Sequence, residues 1–459
     1  MGDSYQETLD YLYSFVDFSL TKATRYSAEQ FDLARMQALV ERLEHPERTF
    51  PIIHIAGTKG KGSVAALCQS VLTSEGYRTG LYTSPHLHDY AERIQIDGHS
   101  IPHEELVALV EEIKPVLESI PQITTFEITT ALAFLYFSRQ NVDVAVIEVG
   151  LGGRLDATNV VIPVVSVITS LSYDHTFLLG NTLAEIAGEK CGIIKPGVPV
   201  VVSPQQDEAL LVIEKIAEQR GAPITLVGRE YLYRDISRSL SGQTLQVWTP
   251  GEQPQVDEYI QSGEMLEWEP NRLTIPLLGY HQITNAATAY AALQVFADKA
   301  LLISDAAIHQ GFANTNWPGR FEVLRQVPPV VIDCAHNRDS ARKLRLALDD
   351  YFPGQRVILV FGASEDKDIH GMFVELMPRI CEVIATRSYH PRAIEPEKLV
   401  EIAHQFGRPA RIVPDVADAL NEALIIAAGE KPVLATGSIF IAAGVREAWL
   451  ARTTGSQSE

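Results

Sequence analysis

Residues 52–72 constrain this chain most. An apolar run from Ile52 to Ala56 ends in Gly57-Thr58-Lys59-Gly60-Lys61-Gly62-Ser63. An apolar helical pattern follows at once through Val64, Leu67, Cys68, Val71 and Leu72. A strand, a glycine-rich turn with a lysine and a hydroxyl, then a helix is the order of a phosphate cradle. Glycines let backbone N–H groups converge on phosphate oxygens. The helix start adds positive potential, and Lys61 adds a full charge. Ser63 can place its hydroxyl on a magnesium ion. The usual spacing is G-x-x-x-x-G-K-[ST]. Here Gly62 separates Lys61 from Ser63, and Ile55 stands at the first glycine position. A plain tight turn is the alternative, and the flanking strand and helix argue against it.

Around this segment, apolar strands alternate with amphipathic helices, which implies βαβ units and a parallel sheet. Strand candidates are 52–56, 79–83, 144–149, 164–169 and 198–202. Residues 1–48 read as helical. Residues 228–278 alternate polar and apolar positions and read as β-hairpins or an exposed insertion; a helix is expected over about 281–297. The turn-rich stretch Asn314-Thr315-Asn316-Trp317-Pro318-Gly319 marks a boundary. A second alternation follows it, with strands at 329–333, 356–361, 381–386, 410–413 and 432–436. With 459 residues the chain exceeds one ordinary core. The expectation is α/β: a P-loop-type doubly wound domain at 1–316 and a smaller Rossmann-like α/β domain at 317–459.

The formal net charge of −20 argues against nucleic-acid or anionic-membrane partners, which need basic surfaces. Any anionic substrate must then meet locally placed cations. No apolar run approaches the ~18 residues of a membrane span, and the acidic N-terminus does not resemble a signal peptide. Four scattered cysteines suit reduced thiols. A cytoplasmic monomer acting on small molecules is expected.

Other strand ends carry candidate chemistry. Glu148 closes the apolar run 144–149 beside the phosphate turn, where a magnesium ligand belongs. Gly150-Leu151-Gly152-Gly153 permits close backbone approach, and Arg154 could hold a carboxylate. His175 follows the strand at 164–169. Asp333 ends another strand and could accept from ribose hydroxyls, and Ser438 begins a similar turn in Ala435-Thr436-Gly437-Ser438. Lys190 reads in isolation as a solvated helix charge.

Together these segments resemble the folylpolyglutamate synthase/dihydrofolate synthase family, a branch of the Mur ligase superfamily. The matching stretches are GTKGKGS (57–63), TSPHL (83–87), TFEITTALAF (125–134), IEVGLGGRLDATN (147–159), SYDHTFLLGNTLAEIAGEKCGIIKPG (172–197), GYHQITNAATA (279–289), PGRFE (318–322), DCAHN (333–337) and FGASEDKD (361–368).

The resemblance implies ATP-dependent ligation of L-glutamate to a folate or dihydropteroate carboxylate through an acyl phosphate. A bifunctional enzyme is expected; the alternatives are folylpolyglutamate synthase alone or a cell-wall Mur-type amino-acid ligase. It implies catalytic roles for Lys61, His175 and Lys190. ATP would meet Gly57, Thr58, Gly60, Lys61, Gly62, Ser63, Asn285, Arg320 and Asp333, with His336 close by. Two Mg2+ ions are implied, one on Ser63, Ser84 and Glu148. The second would sit on His175 and a carbamylated Lys190. Thr125, Phe126, Glu127, Arg154, Leu155 and Asp156 would line a pterin site. Ser438 and the 388–392 loop would face glutamate.

Overall fold

The computed structural model describes residues 2–15, 32–262 and 271–455. The remainder of the expected N-terminal helical stretch (16–31) and residues 263–270 lie outside them. The chain divides into two compact units. The first holds Met1–Asp235, Thr244–Ile275 and Ile283–Asn316; the second holds Ile236–Gln243, Pro276–Gln282 and Trp317–Glu459. Two short segments that precede residue 317 therefore belong to the second unit.

The first unit begins with α1 (Gly2–Ser14) and α2 (Leu33–Arg42), then β1 (Ile52–Ala56), α3 (Lys61–Glu75) and β2 (Thr79–Tyr82). A hairpin of β3 (Ile94–Ile96) and β4 (His99–Ser100) precedes α4 (His103–Leu117), α5 (Thr125–Arg139) and β5 (Val144–Glu148). Next come β6 (Val165–Ile168), α6 (Thr176–Leu179), α7 (Leu183–Lys190), β7 (Val200–Val202), α8 (Asp207–Gln219) and β8 (Ile224–Leu226). The segment expected to form hairpins does so with β9 (Leu232–Ser239) and β10 (Gly242–Trp248). It also contains α9 (Gln253–Ser262) and β11 (Asn271–Ile275), and the three strands pair in the order β11-β10-β9. Then come α10 (Tyr280–Ala297) and α11 (Asp305–Asn314).

The main sheet has the order β4-β3-β2-β5-β1-β6-β7-β8. All neighbours from β2 to β8 are parallel, while β3 and β4 add an antiparallel edge. Every residue of β1, β2, β5 and β6 is buried. That is why these strands appear in sequence as continuous apolar runs: helices cover both faces. Helices α4 and α5, with Phe134 and Phe137, and helices α7 and α8 cover the face that carries Ile52, Ala56, Ala145, Ile147 and Val149, while α3 packs on β5 and β2 with α11 against it. The β3–β4 hairpin was not expected; its three-residue and two-residue strands are too short to show a period.

The second unit carries β12 (Glu322–Gln326), β13 (Pro329–Ile332), α12 (Arg338–Tyr351), β14 (Val357–Phe361), α13 (Ile369–Leu376), β15 (Ile380–Ala385), α14 (Pro396–Gln405), β16 (Ala410–Ile412), α15 (Val416–Ala427), β17 (Val433–Thr436) and α16 (Ile439–Gly455). Its sheet order is β12-β13-β17-β14-β15-β16, parallel except for β12. The whole chain is α/β, as its alternation implied. No helix among the described residues is long and apolar enough to cross a membrane.

Candidate active site

The parallel register brings four strand ends of the first unit to one edge. Ile55 of β1 lies opposite Glu148 of β5, and Ala56 lies opposite Ile168 of β6. The phosphate turn leaves β1 between these neighbours. Its first half is tied down: the Thr58 and Lys59 amides both donate to the Ser170 carbonyl at 3.0 Å, and the Thr58 hydroxyl donates to the Ser172 carbonyl. Gly57 and Gly60 have φ of 155° and 92°. A Cβ on Gly57 would strike Thr169, and one on Gly60 would strike the Asn285 amide. Both positions therefore need glycine for backbone angle and for space.

Gly60 caps α3 without a side-chain bond, and Lys61 is the first helical residue. The amides of Lys61, Gly62 and Ser63 have no intrahelical acceptor at that position, so they face outward as donors. The Ser63 side chain is buried against the turn. Lys61 Nζ lies 3.7 Å from Glu148 Oε1. The structure thus brings together Gly57 to Ser63, Asn285 and Glu148. Ser84 stands just past the end of β2, at a cis bond to Pro85.

Lys59 Nζ pairs with Asp174 Oδ2 at 2.9 Å. Asp174 also accepts from the His175 amide, and His175 sits in a left-handed conformation (φ 49°) with an exposed ring. Asp174 was not singled out from sequence. Its one signal was an acid beside a candidate ligand in a strand-end loop.

Lys190 is the last residue of α7, whose start carries a Thr182–Glu185 capping box. It is not a solvated charge: its exposure is 5%. Burial chiefly, then the neighbouring Lys61, pushes its pKa down to about 7, while Asp174 and Asp156 oppose the shift. No ion pair reaches Lys190 among the described residues. The glycine loop fixes its backbone. The Arg154 amide donates to the Glu189 carbonyl at 2.8 Å, and the Asn159 amide group donates to the Arg154 and Gly192 carbonyls. A Cβ on Gly153 would come within 2.6 Å of the Lys190 carbonyl. Both sides of that contact are backbone and cannot rotate away. Gly153→Ala should therefore cost about 1–3 kcal/mol, as other overpacked sites do. Urea unfolding monitored by circular dichroism would reveal it, and an unchanged midpoint would show that the loop yields freely.

The segments expected to line a pterin site are largely committed to internal contacts. The Thr125 hydroxyl donates to the Leu12 carbonyl. Glu127 closes a capping box with Thr124 and pairs with Arg35 at 3.0 Å. The Arg154 side chain pairs with Glu189 at 2.9 Å. Asp156 accepts from the Leu151 and Thr158 amides and from the Thr158 hydroxyl. Burial still outweighs these three bonds and raises its pKa. Phe126 remains half-buried, its ring against Gly150 and 6.1 Å from the Tyr82 ring. Leu155, between Arg154 and Asp156 in the chain, is half-buried.

In the second unit, Asp333 follows β13. Its carboxylate accepts from the Phe321 and Ala335 amides, each at 2.8 Å. Burial raises its pKa, and Arg320 opposes that shift. His336 Nδ1 lies 3.0 Å from the Cys334 carbonyl. Ser438 follows β17 and accepts from the Ile441 amide. Arg320, Asp333 and His336 thus share one strand end. The 388–392 loop carries Tyr389, almost fully exposed, and His390, stacked on Phe440 at 4.5 Å. Among the described residues, no group of three His, Cys, Asp or Glu side chains could hold a metal alone. The first-unit set mixes Ser, Glu, His and Lys.

Comparison with known proteins shows what the chain is similar to. The Mur ligase middle domain matches residues 55–293, and the Mur ligase glutamate ligase domain matches residues 319–439. The chain is 35% identical to the dihydrofolate synthase/folylpolyglutamate synthase of Bacillus subtilis, across 97% of this chain and 99% of that one. The chain belongs to the folylpolyglutamate synthase/dihydrofolate synthase family. It is accordingly an ATP-dependent ligase. The folylpolyglutamate synthase of Lacticaseibacillus casei is 34% identical, over 97% and 99% of the two chains. The structure of Escherichia coli FolC in complex with DHPP and ADP superposes with a TM-score of 0.83 at 31% identity, covering 98% of each chain. Family membership sets aside the cell-wall ligase expected as an alternative.

Proposed function

We propose that this chain joins L-glutamate to the carboxylate of dihydropteroate and of reduced folates, as a bifunctional dihydrofolate synthase/folylpolyglutamate synthase. The acceptor carboxylate attacks the γ-phosphorus of ATP, and ADP leaves. The amine of glutamate then attacks the acyl carbon. A tetrahedral intermediate collapses, expelling inorganic phosphate and leaving an amide. Lys61 and the first-turn amides of α3 hold the phosphates and the charge that moves between them. The observation that carries this reading is Lys61 at the helix start, 3.7 Å from Glu148, with buried Lys190 beside them.

Magnesium fits the donor set, because Ser63 and Glu148 offer hard oxygen ligands at the phosphate turn. Ser63, Ser84 and Glu148 would hold one ion, and His175 with a carbamylated Lys190 a second. Bound there, the metal screens phosphate charge. In the second unit, Asp333 and Arg320 would meet the nucleotide with His336 close by, and Ser438 would face glutamate. Residues 1–316 would act as the ATP and pterin domain and 317–459 as the glutamate ligase domain. The acidic chain suits a cytoplasmic monomer.

Relatives of nearly equal identity carry one activity name or both, so assay must decide between them. ATP turnover should require glutamate together with dihydropteroate or tetrahydrofolate, and both acceptors should work. Turnover with tetrahydrofolate alone would leave folylpolyglutamate synthase as the sole activity.

A further inference from the structure

Among the described residues, two long cationic side chains are buried: Lys190 and Arg93. Lys190 has a place in the proposed chemistry. Arg93 has none so far. It is 8% exposed and ends the short helical turn Tyr90–Arg93 before β3. Its carbonyl accepts from the Thr83 amide at 3.1 Å, just beyond the end of β2. Tyr82 of β2 lies opposite Ile147 of β5, one residue before Glu148. Arg93 therefore stands at the same sheet edge as the phosphate turn, with β5 between β2 and β1.

Among the described residues, the surroundings of its guanidinium hold no anion. Arg93 Nε donates to His86 Nδ1 at 3.0 Å, and the group lies 4.7 Å from the centre of the Tyr90 ring. His86 supplies no counter-charge: burial, then the Arg93 charge, pushes its pKa down to about 4. No carboxylate pairs with Arg93 among the described residues, and its two Nη groups meet no protein acceptor there. Among the half-buried arginines, Arg35 has Glu127, Arg379 has Asp349 and Arg446 has Glu322, while Arg220 and Arg408 bond to backbone carbonyls. An aromatic face returns only part of the desolvation penalty of a buried cation. An anion that arrives with a ligand would supply the rest.

We propose that Arg93 binds the carboxylate of the acceptor substrate, an aryl carboxylic acid or its glutamyl extension. The forked guanidinium suits two parallel bonds to a carboxylate. Phe126 offers a half-buried ring on this side of the sheet edge, 6.1 Å from the buried Tyr82 ring. The ATP phosphates belong to the other side, at β1 and α3. The inference rests on the proposed ligation and adds the residue that delivers the attacking oxygen.

The test compares dihydropteroate with its carboxamide, whose pterin and ring are the same. Binding to wild type, Arg93→Gln and Arg93→Lys is measured by equilibrium dialysis with ADP present, and each variant is checked by thermal melting. Arg93→Gln should weaken the acid about 10²-fold and leave the carboxamide unchanged, since a charge-assisted pair is lost. The KM for ATP should stay unchanged. Arg93→Lys should bind the acid with intermediate affinity, because a point charge cannot form both bonds. Equal weakening of acid and carboxamide, or unchanged acid binding, would overturn the assignment. If Arg93→Gln does not fold, Arg93→Lys decides by the same two ligands: unchanged acid affinity overturns it. A wild type that ligates glutamate to neither acceptor would instead count against the proposed function.

Discussion

Lys61→Ala should lower kcat for glutamate ligation by about 10²-fold or more, the usual loss when a preorganised charge contact to the transition state is removed. KM for ATP should rise less, because the turn amides still contact the phosphates. Stability needs separate treatment. Lys61 is paired with Glu148, and their side chains are only 16% and 6% exposed. Removing one partner of a fully buried pair costs about 3–5 kcal/mol, and the partial exposure of Lys61 should bring the cost below that. Lys61→Ala combined with Glu148→Gln removes the stranded charge. The double variant should regain most of the lost melting temperature and none of the lost rate. Stopped assays of ADP release, with thermal melts on the same preparations, read both quantities. A folded Lys61→Ala variant with near-normal kcat would falsify the phosphate assignment.

The sheet edge was legible in the sequence because burial on both faces writes strands as unbroken apolar runs. The runs ending at Ala56, Glu148 and Ile168 gave their own positions to within a residue, and Lys61 and Glu148 followed from those endings. The β3–β4 hairpin escaped because two or three residues carry no period. Side-chain environment was the other blind spot. Lys190 reads as a helix-surface charge until its backbone is seen locked by Gly153 and Arg154, with the amine turned into the protein. Glu127 and Arg154 look free for a ligand in sequence, yet Arg35 and Glu189 engage them. Arg93 has His86 and Tyr90 near it in the chain, but its burial is seen only in the fold. One-dimensional pattern thus placed the groups on strand ends. Which charges lack a counter-charge depends on contacts between residues far apart in the chain, and only the fold supplies those.

That distinction gives Lys190 its clearest prediction. An ordinary lysine amine near pKa 10.4 is almost wholly protonated at pH 7 and cannot attack CO2. Burial and the nearby Lys61 bring Lys190 to about 7. The fraction of free amine then rises by about 10³-fold, from the usual relation between pKa and pH. The free amine can add to carbon dioxide. The new N–C bond releases a proton and replaces a cation by an anionic oxygen donor. The charges of Lys61 and Lys59 already disfavour a cation at Lys190, so this change also removes a repulsion. Lys190→Ala should lose at least about 10²-fold in kcat, and a small carboxylate such as formate or acetate should restore part of it. Lys190→Arg should stay inactive with or without added carboxylate, because a guanidinium keeps its proton. Carbon-13 NMR with labelled bicarbonate should give a carbamate signal in the wild type and none in either variant. Full activity from an enzyme shown by the same measurement to carry an unmodified Lys190 would return that residue to a purely structural role at the end of α7.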